Sequence, residues 1–77
     1  MKEIDWEAVL EDQKECLKNA MMKDLAWTLG GSLSSPYTFD IFDLQERISD
    51  IEQENYEEAY KLLVEEYSEE YFDDFLL

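Results

Sequence analysis

From Trp6 to Phe75 the apolar residues recur at steps of three, four and seven, and a single stretch, residues 30–36 (Gly-Gly-Ser-Leu-Ser-Ser-Pro), has the composition of a loop. That period is helical. A β fold needs frequent turns, and two glycines and one proline do not supply them. The first helix follows Asp5, whose short carboxylate suits an N-cap, with Glu7 near the positive end of the helix dipole. Ile4 before the cap and Val9 have the spacing of a hydrophobic staple. Trp6, Leu10, Leu17, Met21, Leu25 and Leu29 form one apolar stripe, and Gly30 and Gly31 end it where a residue of positive φ is wanted.

A second helix is expected from near Asp40, with Phe39 and Leu44 as its staple and Ile41, Leu44, Ile48 and Ile51 as its stripe. Asn55 and Glu58 have capping-box spacing, so a third helix is read from Tyr56 to Phe75, unless the second and third are one rod. Tyr56, Tyr60, Leu63, Tyr67, Tyr71 and Phe75 line that helix, read as core whose exposed part would mark a dimer or partner surface. Together these predict an all-α chain, a small three-helix bundle or helical hairpin, with residues 1–77 as a single acidic domain. Cys16, beside Leu17, reads as a small, partly buried, unreactive apolar residue. A lone cysteine forms no internal disulfide, which points to the cytoplasm. No apolar run approaches the roughly 20 residues of a membrane span.

Charge is the unusual quantity. Twenty-one acids face six Lys and Arg, a net −15; residues 1–29 carry −3 and residues 30–77 carry −12. On a helix from 56 to 75 the pairs Glu54–Glu58, Glu65–Glu69, Glu66–Glu70, Glu69–Asp73 and Glu70–Asp74 are like charges four apart, costing together roughly 1–2.5 kcal/mol. Solubility asks only for a net charge of about 2–8 in magnitude, so the excess points to a use. A compact chain of this length has a radius of gyration of about 11–12 Å and spans roughly 30 Å. That is about one net charge per 2 Å, near the one per roughly 1.7 Å of duplex DNA. The same sign of charge excludes direct binding to nucleic acid.

The chemistry of sites is thin. With no histidine and one cysteine there is no zinc site and no histidine-based catalysis, and the chain has little volume for a carboxylate active site. Asp40, Asp43 and Asp50 do not follow calcium-loop spacing. No enzyme activity, metal or cofactor is expected. Gly30-Gly31-Ser32-Leu33 resembles the attachment motif of acyl carrier proteins, which would put a prosthetic arm on Ser32. Gly31 stands where that motif has Asp, and Ser34-Ser35-Pro36 block the helix the motif opens.

In size, charge and helical pattern the whole chain is similar to the small acidic DNA mimics with which bacteriophages block restriction and CRISPR nucleases, though no motif carries the likeness. The resemblance implies a stoichiometric inhibitor occupying the nucleic-acid-binding channel of a nuclease complex. Its carriers would be Glu57, Glu58, Glu65, Glu66, Glu69, Glu70, Asp73 and Asp74, assisted by Asp43, Glu46 and Asp50. Tyrosines among them suit stacking on arginine. The competing reading is an acidic interaction module such as an immunity protein, antitoxin or adaptor, docking through a bare apolar end at Tyr71–Leu77. Neither reading involves a membrane, and both leave room for a homodimer.

Overall fold

The computed structural model describes residues 3–31 and 36–77, and they form an all-helical bundle. The elements are α1 (Trp6–Leu29), α2 (Thr38–Glu52), α3 (Tyr56–Glu66) and a C-terminal 3-10 helix (Glu69–Phe75). Ser32 and Leu33 of the carrier-like motif lie outside the described residues. Asp5 caps α1, its Oδ1 accepting from the Ala8 N–H at 3.3 Å. At the other end Gly30 caps the helix and Gly31 takes φ 90°, a conformation that favours glycine. α2 begins at Thr38, two residues before the expected start. Phe39 is 79% exposed, so the expected staple with Leu44 is not made.

α2 and α3 are separate helices. Glu54 turns to φ 62°, and the Asn55 N–H donates to the Asp50 carbonyl at 2.8 Å. Asn55 holds the N-cap position of α3 without a side-chain hydrogen bond, so the expected capping box is not formed. Its would-be partner Glu58 instead lies 3.7 Å from Lys61.

The expected third helix to Phe75 stops at Glu66. Ser68 takes φ 102° and ψ 169°, and the chain turns back as a 3-10 helix. Tertiary contacts explain the break. Continuing straight, residues 67–75 would extend α3 by about 13 Å beyond Glu66. Turning back instead places the Tyr71 hydroxyl 2.5 Å from Asp12 Oδ2 and Phe72 between Trp6 and Tyr60. It also lets the chain ends pair, with the Asp5 N–H on the Phe75 carbonyl at 2.6 Å and the Leu77 N–H on the Glu3 carbonyl at 2.9 Å. Local helix propensity loses to these contacts. Ser68 occupies a region nearly reserved for glycine, at a cost of about 1–3 kcal/mol. Ser68→Gly should therefore raise the urea midpoint, since the added chain entropy of glycine costs only about 0.5–1 kcal/mol. A lower midpoint would contradict strain at this position.

Val9, Ile51, Ala59, Leu63 and Phe72 form the buried cluster, with Ile4, Trp6, Leu10 and Tyr60 packed against it. Beside it runs a buried polar chain. Arg47 Nε donates to Gln13 Oε1 at 2.9 Å, and Gln13 Nε2 donates to the Tyr71 hydroxyl at 2.9 Å. The Arg47 guanidinium also lies over the Tyr67 ring, 5.5 Å from its centroid. Arg47 and Gln13 thus tie α1, α2 and the C-terminal turn together, and no buried side-chain nitrogen or oxygen among the described residues lacks a partner. Burial, followed by the hydrogen bond to Asp12, raises the Tyr71 pKa well above its ordinary value. A phenol whose folded pKa is raised contributes stability that is complete below the unfolded pKa of about 10 and is lost as pH climbs beyond it. The urea midpoint should therefore fall between about pH 9 and pH 11.5, and less steeply in Tyr71→Phe. Equal slopes in the two proteins would overturn this assignment. Tyr67 is shifted in the same direction by burial, so some slope should remain. Cys16 is half-buried, and burial and then the Asp12 carboxylate raise its thiol pKa, as befits an unreactive small apolar residue.

The α1 stripe departs from expectation. Its buried positions are Val9, Gln13 and Ala20, whereas Met21, Leu25 and Leu29 are exposed. A four-residue step turns the helix about 400°, so each one carries the stripe about 40° off the packed face. After Leu17 the sequence takes three such steps in a row. The outer face of the C-terminal half of α1 is therefore uncovered, while Ala20 and Lys23 on its inner face meet α2 and Tyr37. The molecule measures 48 × 19 × 19 Å with a radius of gyration of 13.9 Å, longer than the roughly 30 Å expected of a compact chain.

Candidate partner-binding surface

α2 carries Asp43, Glu46 and Asp50; α3 carries Glu57, Glu58, Glu65 and Glu66; the 3-10 helix carries Glu69, Glu70, Asp73 and Asp74. All are exposed except Asp50, which is half-buried. The regular columns expected through Glu65–Glu69–Asp73 and Glu66–Glu70–Asp74 do not form, because α3 ends at Glu66. None of the five expected like-charge pairs lies within one α-helix, and in the 3-10 helix residues four apart are separated by about a third of a turn. The row of phosphate-like charges is thereby replaced by clefts.

Two clefts gather seven of the eleven acids. Between α2 and α3, Asp43, Glu46, Glu65 and Glu66 surround Leu62 and the edge of Arg47 in a cleft of about 290 Å³. At the N-terminal end of α1, a larger groove of about 530 Å³ has Glu57, Glu69 and Asp73 on its walls. Its floor is Ile4, Tyr56, Tyr60, Phe72 and Leu76. Tyr56 is held there by stacking on Trp6 at 4.9 Å, and Tyr60 by stacking on Phe72 at 4.9 Å. Glu58, Glu70, Asp50 and Asp74 line neither cleft. Sequence spacing had no way to reveal the groove, since Ile4 and Leu76 meet only when the two chain ends pair as an isolated antiparallel bridge.

Carboxylates beside aromatic faces suit a guanidinium or an ammonium group, which gains from both the charge and the ring quadrupole. Little positive charge within the chain answers them. Among the described residues the ion pairs are Lys14–Glu52 at 3.9 Å and Lys61–Glu58 at 3.7 Å, both at the surface, where such pairs contribute about 0–1 kcal/mol. No family model, curated protein or solved structure matches this chain. No helix among the described residues is long and apolar enough to cross a membrane.

Fifteen net charges over 48 Å amount to about one per 3 Å, more dilute than the expected one per 2 Å and than duplex DNA at one per roughly 1.7 Å. They still repel one another. Raising ionic strength from about 10 mM to 500 mM should raise the melting temperature, because screening relieves the acids that no cation neutralises. A flat or falling curve would mean that these acids are neutralised within the fold.

Proposed function

We propose that this protein is a stoichiometric inhibitor that lays its acidic clefts on the nucleic-acid-binding surface of a basic partner, a nuclease complex of host defence being the class its charge and size fit. One observation carries the reading: seven exposed acids converge on two clefts whose one cation is the buried Arg47 at the edge of the smaller, and the larger cleft is floored by aromatic rings. Arginines and lysines that grip phosphate have the chemistry such clefts accept. The packing of the C-terminus favours this reading over the docking module, since Phe72 is buried and Phe75 and Leu76 are half-buried, not bare. The mimicry would be of local phosphate groupings, with basic side chains drawn into the clefts. Immobilised protein should capture, from the lysate of its host, a protein that itself binds DNA or RNA, and about 0.5 M salt should release it. Capture that persists in such salt, or of proteins with no affinity for nucleic acid, would contradict the proposal.

A further inference from the structure

The groove formed by the chain ends and α3 combines two features that a purely electrostatic surface does not need. Its floor is apolar, with Ile4, Leu76 and three rings between the carboxylates of Glu57, Glu69 and Asp73. Two of those rings are each held by a second aromatic, Tyr56 on Trp6 at 4.9 Å and 17° and Tyr60 on Phe72 at 4.9 Å and 14°. Tyr56 still keeps 36% of its surface exposed. Rings fixed in this way need little further ordering when a partner group settles on them. At about 530 Å³ the groove also falls within the roughly 300–1,000 Å³ of sites that enclose a small ligand.

Charge narrows what can fill it. Among the described residues no cation pairs with Glu57, Glu69 or Asp73, so the groove presents three unanswered negative charges. Nucleic acid and anionic lipid are repelled, and so is a second copy of a chain that carries a net −15. Lysine and arginine both answer the charge, but they differ toward the floor. An ammonium group is compact and strongly hydrated, and gives up water against Ile4 and Leu76. A guanidinium is planar and weakly hydrated; it stacks on a ring while its N–H edge still reaches carboxylates, and its methylene stem covers apolar floor. The one arginine of this chain, Arg47, is buried at 5% exposure, so another molecule must supply the group. On the footing of the function proposed above, we infer that the groove is an arginine pocket. It takes an arginine side chain of the basic partner in preference to lysine, stacked on Tyr56 or Tyr60 with its N–H groups on Glu57, Glu69 and Asp73.

Two capped tripeptides, acetyl-Gly-Arg-Gly-amide and acetyl-Gly-Lys-Gly-amide, carry the same charge and test this without the partner. Each is titrated to about 20 mM into the isotope-labelled whole protein, followed by amide NMR at about 20 mM salt, where screening is weak. The arginine peptide should move the signals of Tyr56, Tyr60 and Leu76 saturably. Its dissociation constant should lie at least about threefold below that of the lysine peptide, the factor an exposed ring contact supplies. Tyr56→Leu should cancel that preference and leave lysine binding unchanged, a split that general loss of structure would not produce. Asp73→Asn, at an exposed side chain, should weaken both peptides by about twofold. Equal constants for the two peptides would overturn the inference, and so would shifts confined to the cleft between α2 and α3. No arginine preference, with a nucleic-acid-binding protein still captured, removes the pocket and leaves the inhibitor reading standing. Arginine binding without such capture does the reverse.

Discussion

Phe72→Ala should remove most of the stability of this fold. Phe72 is 4% exposed, stacks on Tyr60 at 4.9 Å and meets Trp6 and Tyr71 edge-on at 5.9 and 5.4 Å. Truncating a buried phenylalanine costs about 3–5 kcal/mol. A chain of this size has a total of about 4–12 kcal/mol. The position also closes the chain: without Phe72 the 3-10 helix keeps little to hold it against α1, and the hydrogen bond from Tyr71 to Asp12 goes with it. The urea midpoint should drop by about 1.5 M or more. Phe42→Ala, at a side chain 61% exposed, should leave the midpoint nearly unchanged in dilute protein. Similar losses for the two would mean that the aromatic cluster is not the core.

Those two phenylalanines also mark how far the sequence could be read. The ends of α1 are legible, since Asp5 caps it as its side chain predicts and Gly30 and Gly31 end it, but the staple of Phe39 and the capping box of Asn55 do not form. The all-helical class followed from the spacing of apolar residues. What spacing could not reveal is which apolar residues find a partner. Leu29 continues the α1 stripe as regularly as Leu10 does, yet it is 78% exposed, because the 40° drift of successive four-residue steps takes it off the bundle. The break at Ser68 was hidden for a different reason. Tyr67, Tyr71 and Phe75 keep helical spacing, but Tyr71 bonds to Gln13 and Asp12, some sixty residues away, and that long-range pairing has no local signature. The candidate site inherited both errors. Ten of its eleven acids lie at the surface, and the grouping of seven into two clefts depends on the turn at Ser68 and on the meeting of the chain ends.

The second large effect concerns binding. Changing Glu57, Glu69, Glu65, Glu66 and Glu46 to Gln, and Asp73 and Asp43 to Asn, neutralises both clefts at once. If each acid contributes about 0.5 kcal/mol, as exposed charge pairs do, the seven together supply about 3.5 kcal/mol, a loss of a few hundredfold in affinity. Any one change alone should cost about twofold. The fold should persist and resist heat better at low salt, because glutamine has nearly the helix propensity of glutamate and the repulsion is lower. Unaltered affinity in the sevenfold variant, with circular dichroism showing an intact helix content, would remove the acidic clefts from the binding surface.

The central claim, that the acidic clefts take the place of nucleic acid, is tested most directly on the captured partner. Duplex DNA and this protein should exclude one another: titrating the protein into a labelled partner–DNA complex should release the DNA fully, with one molecule bound per site vacated. Raising the DNA concentration should then demand proportionally more protein. A stable ternary complex, in which partner, DNA and this protein migrate together at saturating concentrations of each, would contradict the account.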